Sequence, residues 1–124
     1  MPSEKIRVLI VDDHASVRYS LSIILELCDD LQLIGEAANG KDALALCQRL
    51  HPDVVLMDLL MPVMDGVTTT KFLHEHHPDI RVLILTSGTD PDLITAAMEA
   101  GAQGYLEKHV NIEVLAEAIR AATT

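Results

Sequence analysis

The sequence has no tryptophan, one phenylalanine and two tyrosines. Neither an aromatic cage for a cation nor a stacking platform for bases can be assembled from so few rings, and the core must be aliphatic. Cysteine is nearly absent too. Cys28 and Cys47 are the two present, without a CxxC or other metal-ligand spacing. Both fall within apolar stripes of predicted helices, which reads as reduced, buried thiols rather than a bridge. Cations are scarce: 9 Lys plus Arg stand against 19 Asp plus Glu, a formal charge of -10. Such a balance repels a phosphate backbone and disfavours direct nucleic-acid binding. No apolar run approaches the roughly 18 residues of a membrane span. The N-terminus MPSEK lacks the basic and apolar regions of a signal peptide, so a cytoplasmic chain with no membrane contact is expected.

What is there is enough for one core. Hydrophobic residues make up 49% and charged residues 23% of 124 positions, the profile of a folded soluble domain rather than a disordered segment. One domain over 1–124 is expected, with no repeat, linker or low-complexity tract. Short apolar runs rich in β-branched residues, at 6–11, 54–57 and 82–85 with weaker ones at 31–38 and 103–106, alternate with segments of helical period. Ala43, Leu46, Cys47 and Leu50 follow that period, as do Leu93, Ala96, Ala97 and Ala100, and Ile112, Leu115, Ala116 and Ile119. Val17, Leu21, Ile24, Leu25 and Cys28 mark a further helix, and 67–75 another, in which Thr68, Thr69 and Thr70 need tertiary packing to stay helical. Asn39, Asp90 and Asn111 stand where N-caps are wanted, Pro91 suits a first helical position and Gly101 a helix end. The pattern predicts an α/β fold: a flavodoxin-like (βα)5 doubly wound parallel five-stranded sheet in order 2-1-3-4-5.

Ligands bind such sheets at the carboxyl ends of the strands, near the switch between strands 1 and 3. Asp12 and Asp13 follow the first strand, Asp58 the third and Thr86 the fourth, with Lys108 just beyond the fifth. Singly, each acid suits a helix cap or a solvated strand end. Together, three neighbouring carboxylates either hold a proton or need a hard cation, and Mg²⁺, with its preference for oxygen ligands, fits best. A carboxylate can also attack a phosphoryl group to form an aspartyl phosphate, with an ammonium and a metal clamping the transferring oxygens.

Four stretches carry a resemblance that spans the chain: VLIVDDH at 8–14, VVLMDLLMPVMDG at 54–66, LILTS at 83–87 and GAQGYLEK at 101–108. The sequence resembles the response-regulator receiver domains of bacterial two-component systems, and HPDIRVLILTS and GAQGYLEK are similar to the NarL/LuxR-type subgroup. The resemblance implies that Asp58 accepts a phosphoryl group from a histidine kinase phosphohistidine. It implies that Asp12 and Asp13 hold Mg²⁺ together with the Leu60 backbone carbonyl. Lys108 and Thr86 would bind the phosphoryl oxygens, and Tyr105 would be the ring whose orientation follows phosphorylation. It further implies a signalling domain rather than an enzyme acting on a separate substrate. The implied partners are a sensor histidine kinase or phosphotransfer protein and a phosphorylation-dependent homodimer, with DNA reached only through an output domain outside this chain. Residues 1–124 would then be either a stand-alone receiver or the N-terminal part of a longer regulator.

Two departures from the family pattern stand out. Lys108 precedes His109 where many receivers carry a cis proline, and a trans bond is expected because a non-proline cis bond costs roughly 2.5 to 4 kcal/mol. Leu60 and Gly88 stand where relatives often carry polar side chains that act on water attack, so a long-lived phosphoryl group is expected. Rival readings are weaker. A haloacid-dehalogenase-type hydrolase wants Asp-x-Asp, and Asp58-Leu59-Leu60 lacks the second acid. A flavin nucleotide binder wants a Gly-containing, hydroxyl-rich loop where Asp12 and Asp13 stand. A receiver that serves only as a docking module would not need all five site residues. His74, His76 and His77 read as a solvated helix end rather than a metal site, and His14 is expected to face outward.

Overall fold

In the computed structural model, which describes residues 4–87 and 90–124, ten elements alternate without exception. They are β1 (Ile6–Val11), α1 (Ala15–Glu26), β2 (Leu31–Ala37), α2 (Gly40–Leu50), β3 (Val54–Met57), α3 (Gly66–His76), β4 (Arg81–Thr86), α4 (Pro91–Glu99), β5 (Gly104–Glu107) and α5 (Ile112–Ala122). The five strands form one parallel sheet in the order β2-β1-β3-β4-β5.

Strand side chains point alternately to the two faces of the sheet, and the core divides accordingly. Leu9, Val11, Val55, Met57, Val82 and Ile84 pack with Ala43 and Cys47 of α2, Leu73 of α3 and Ala97 of α4. Val8, Ile10, Val54, Leu56, Leu83 and Leu85 pack on the other face with Leu21 and Leu25 of α1 and with Leu115, Ala116 and Ile119 of α5. Every residue of β3 is buried. A strand covered on both faces needs a continuous apolar run, and VVLM supplies one.

Asn39, Asp90 and Asn111 cap α2, α4 and α5 through side-chain oxygens that accept backbone N–H donors of the first turn. Asp65 does the same for α3, accepting from the Thr68 N–H at 2.8 Å. Thr69 and Thr70 in that helix are fully buried, and the Thr69 hydroxyl donates to the Asp65 carbonyl at 2.7 Å. Tertiary packing thus overrides weak helical propensity there, as the threonine run required. Gly101 ends the α4 region with φ of 120°, in the half of backbone space that glycine enters without strain.

Some expectations shift. β4 gains one residue at each end, and β5 lies one residue later than the run 103–106, with Gly104–Glu107 paired to Leu83–Thr86. Cys28 lies beyond α1, which closes at Leu27. It still packs partly buried against the α1 and α5 face of the core. Cys47 is the fully buried thiol.

Candidate functional site

β1 and β3 are neighbours in the sheet and end level with each other, since Val11 pairs with Met57. The next residues, Asp12 and Asp58, are therefore thrust out side by side at the carboxyl edge. Both are anchored through their backbone N–H groups. The Asp12 N–H bonds the Ala37 carbonyl and the Asp58 N–H the Val11 carbonyl, while Asp58 Oδ1 accepts the Leu59 N–H at 2.9 Å. Gly66 permits the chain to return under this edge. Its N–H bonds the Leu59 carbonyl, and a Cβ there would collide with the Asp58 carbonyl oxygen.

Lys108, the first residue past β5, reaches back across the edge. Its Nζ lies 2.6 Å from Asp12 Oδ2 and 3.3 Å from Asp58 Oδ1. Its backbone N–H bonds the carbonyl of Thr86, the last residue of β4. Asp12 and Asp58 are buried, whereas Asp13 is partly open to solvent.

The electrostatics follow from this crowding. Burial, reinforced by the charge of Asp12, pushes the Asp58 carboxyl above its ordinary value, against the pull of Lys108 and of the Leu59 N–H. For Lys108, burial pulls the ammonium down. The hydrogen bond to Asp12 and the charges of Asp58 and Asp12 outweigh it, leaving Lys108 raised. Three carboxylates facing one ammonium leave excess negative charge, which a divalent cation can offset. Asp12, Asp13, His14 and Asp58 each offer a ligand atom, and these atoms all lie within 4.8 Å of one another. This is the one such group among the described residues.

Of the residues singled out in the sequence, Asp12, Asp13, Asp58 and Lys108 thus meet in one cluster, with Thr86 tied to Lys108 through the backbone. Leu60 follows buried Leu59 in the chain and exposes its side chain. Gly88 lies outside the described residues. The peptide between Lys108 and His109 is trans. Tyr105 stands apart from the acids. It is 53% exposed on β5 and lines a groove of about 510 Å³ with Pro91, Ile94 and Met98 of α4.

His14 departs from expectation. Its ring is largely exposed but turns toward the acids, with Nδ1 at 3.0 Å from Asp12 Oδ1 and 3.1 Å from Asp13 Oδ1. The sequence reads His14 as facing outward, which its exposure fits, whereas the turn of its ring onto the two acids departs from that reading. His109 lines a groove of about 390 Å³ beside α1, together with His14, Ser20, Ser87 and Lys108. The other histidines disperse. His74 abuts Gly101, His76 stacks on Phe72 at 4.2 Å, and His77 meets His51 edge-on at 6.1 Å.

Residues 8–120 match the model of the response regulator receiver domain. The chain belongs to that family. The receiver is 44% identical over 118 residues to the transcriptional regulatory protein LiaR of Bacillus subtilis, covering 95% of this chain and 56% of LiaR. It is 42% identical over 115 residues to the response regulator protein VraR of Staphylococcus aureus, covering 93% of this chain and 55% of VraR. It thus spans a little over half the length of these curated relatives. The signal receiver domain of the response regulator NarL from Mycobacterium tuberculosis matches it with a TM-score of 0.92 at 32% identity, with 97% of each chain covered. A DNA-binding response regulator of the LuxR family from Staphylococcus aureus matches with a TM-score of 0.89 at 27% identity, covering 95% of this chain and 98% of that one. These relatives support the NarL/LuxR-type subgroup. As a receiver, the domain is a phosphorylation-activated signalling switch of two-component systems. No helix of the described residues is long and apolar enough to cross a membrane.

Proposed function

We propose that Asp58 takes a phosphoryl group from the phosphohistidine of a sensor histidine kinase or phosphotransfer protein, and that the resulting charge resets the surface around Thr86 and Tyr105. The observation that carries this reading is the convergence of Asp12, Asp13, Asp58 and Lys108 from three strand ends into one cluster, in which Asp12 and Asp58 are buried. In the transfer, an Asp58 carboxylate oxygen forms the new bond to phosphorus as the bond to the histidine nitrogen breaks, and the imidazole leaves with the electron pair. The geometry needs an ionised Asp58. Burial opposes this, and Lys108 and the Leu59 N–H favour it.

Asp12, Asp13, Asp58 and the Leu60 carbonyl would hold Mg²⁺, which when bound supplies charge neutralisation at the phosphoryl oxygens. Lys108 already points its ammonium at Asp58 and would exchange that contact for a phosphoryl oxygen. Thr86, on the neighbouring strand end, would donate its hydroxyl to another. Water attack is then limited by apolar Leu60 beside the site. The domain acts as phosphoacceptor and assists its own chemistry, with no separate substrate. LiaR is a transcriptional regulator by name, and a transcriptional output is proposed for the protein of which this receiver would form the N-terminal part.

The test is intact-mass analysis after incubation with a small phosphodonor and Mg²⁺. One added phosphoryl group is expected, absent in Asp58→Asn and absent when the metal is chelated. Undiminished labelling of Asp58→Asn, or labelling that survives chelation, would overturn the assignment.

A further inference from the structure

Asp12 and Asp13 lie in the short link between β1 and α1, and their side chains are anchored unequally. The Asp12 carboxylate accepts the His14 backbone N–H at 2.8 Å and faces the Lys108 ammonium at 2.6 Å. Asp13 meets the His14 ring at 3.1 Å, and that ring is 63% exposed. What aims Asp13 is therefore chiefly its backbone. Arg18, one turn into α1, grips that backbone from outside the cluster. Its Nη1 donates to the Asp12 carbonyl oxygen at 2.7 Å, while its Nε donates to Glu36 Oε1 on β2 at 3.2 Å. The Asp12 N–H bonds the carbonyl of Ala37, the neighbour of Glu36. Both peptide groups flanking the Asp12 Cα are thus held, one by β2 directly and the other by a side chain that leans on β2. The Asp12 carbonyl and the Asp13 Cα belong to one planar peptide unit, so a grip on the first sets the place of the second.

We propose that Arg18 is a positioning residue for this site: its bond to the Asp12 carbonyl fixes the turn that presents Asp12 and Asp13 to Mg²⁺. The inference rests on the reading of Asp12, Asp13 and Asp58 as a Mg²⁺ site and adds to it a residue outside the ligand set. Mg²⁺ demands near-ideal octahedral geometry, so a loosely held carboxylate weakens its binding. An action through charge alone has the opposite sign. A cation beside the acids repels Mg²⁺, and removing it would tighten binding. Glu36 already offsets that charge at a partly exposed pair, where solvent screens it further, and position is left as the larger effect. Lysine is no equivalent, because its single ammonium lacks the planar fork with which Arg18 bonds the carbonyl and Glu36 together.

The experiment measures Mg²⁺ affinity by calorimetry and, in chelator-containing buffer, hydrogen exchange at the Asp12 and His14 amides by NMR. Arg18→Ala should bind Mg²⁺ roughly 10-fold more weakly, the scale on which residues behind metal ligands act, and should exchange both amides faster. Arg18→Met, which keeps the apolar stem without a donor, should show the same loss and so separate the bond from packing. Arg18→Lys should recover part of it. With a small phosphodonor, the Ala and Met variants should need correspondingly more Mg²⁺ for half-maximal labelling and regain the wild-type rate once the metal saturates. Arg120→Ala, which breaks the ion pair with Asp30 at the opposite edge of the sheet, should match the wild type in both readouts. Mg²⁺ affinity unchanged or tightened in Arg18→Ala and Arg18→Met would overturn the proposal. So would a loss that Arg120→Ala reproduces, which would mark a general effect on stability. Failure of the underlying metal-site reading looks different: the wild type binds no Mg²⁺, or Asp13→Asn binds it unchanged.

Discussion

Asp58 shows how one side chain can be both a liability and the reason for the site. Its carboxyl is buried beside Asp12, and both facts raise it above the ordinary carboxylate value. The folded chain therefore holds a proton on Asp58 more readily than the unfolded chain does. By linkage this residue's contribution to stability declines as pH rises from the ordinary range near 3.9 through the raised value, and stays low above it. Asp58→Asn removes that penalty and leaves Lys108 its nearer partner, Asp12 at 2.6 Å. In chelator-containing buffer, the variant should melt several degrees above the wild type at neutral pH, and the difference should shrink toward pH 4. Equal or lower melting at neutral pH would refute the assignment of strain to Asp58. Saturating Mg²⁺ should narrow the gap from the other side, since a ligand present at about 100 times its Kd stabilises by roughly 2.7 kcal/mol. The residues of this cluster were legible from position alone, because each acid follows an apolar run. The direction of the His14 ring was not. The ring accompanies a local turn that puts the His14 N–H on Asp12 Oδ1, a conformational detail that residue type alone does not specify.

At the scale of elements, strand ends carry the function and apolar alternation places them. β1 and β3 were readable to the residue, since 6–11 and 54–57 are bounded by abrupt polar neighbours. β5 was harder. With only alternate residues partly buried, an edge strand gives a weak apolar signal, and its bounds come from hydrogen bonds to β4 rather than from composition. That edge is also where the signal would leave the site. Thr86 ends β4, its neighbour across the sheet is Glu107, and Tyr105 stands two residues earlier on β5 beside α4. A phosphoryl group brings about -1.5 to -2 charges, and its hydrogen bonds to Thr86 and Lys108 are worth roughly 1.5 to 3 kcal/mol each. Moving an equilibrium from 1:99 to 99:1 takes about 5.5 kcal/mol, so both contacts are required for a full switch. Thr86→Ala should accept the phosphoryl group yet shift Tyr105 only partway, as seen by NMR of wild type and variant in both states. Identical shifts around Tyr105 in the two phosphorylated proteins would show that Thr86 is not the lever.

For the molecule as a whole, the deciding quantity is its charge. At -10, an acidic receiver gains nothing by approaching DNA, so the transcriptional output proposed above would act through residues outside 1–124; this chain spans a little over half the length of LiaR and VraR. The same charge sets the terms on which two receivers could bring two such outputs together. A symmetric dimer places like surfaces face to face, and two copies of this chain repel before any contact forms. Attraction has to come from apolar surface, and there is some to use. Tyr19, Ile23 and Leu27 lie exposed at four-residue spacing along α1, and Met98 and Tyr105 lie exposed between α4 and β5. Phosphorylation is expected to favour such a dimer by reshaping the Thr86 and Tyr105 surface, while its added charge works against association. Salt separates these effects, because at about 0.15 M the Debye length falls to roughly 8 Å and repulsion between whole faces is largely screened. Sedimentation equilibrium should therefore find the unphosphorylated chain monomeric and the phosphorylated chain in a weak dimer that tightens as salt rises from low to physiological strength. A phosphorylated chain that stays monomeric at every concentration and salt would rule out self-association through this domain. A dimer that loosens with salt would mean that ion pairs rather than apolar contacts hold it, and the search for its interface would move to the charged surface.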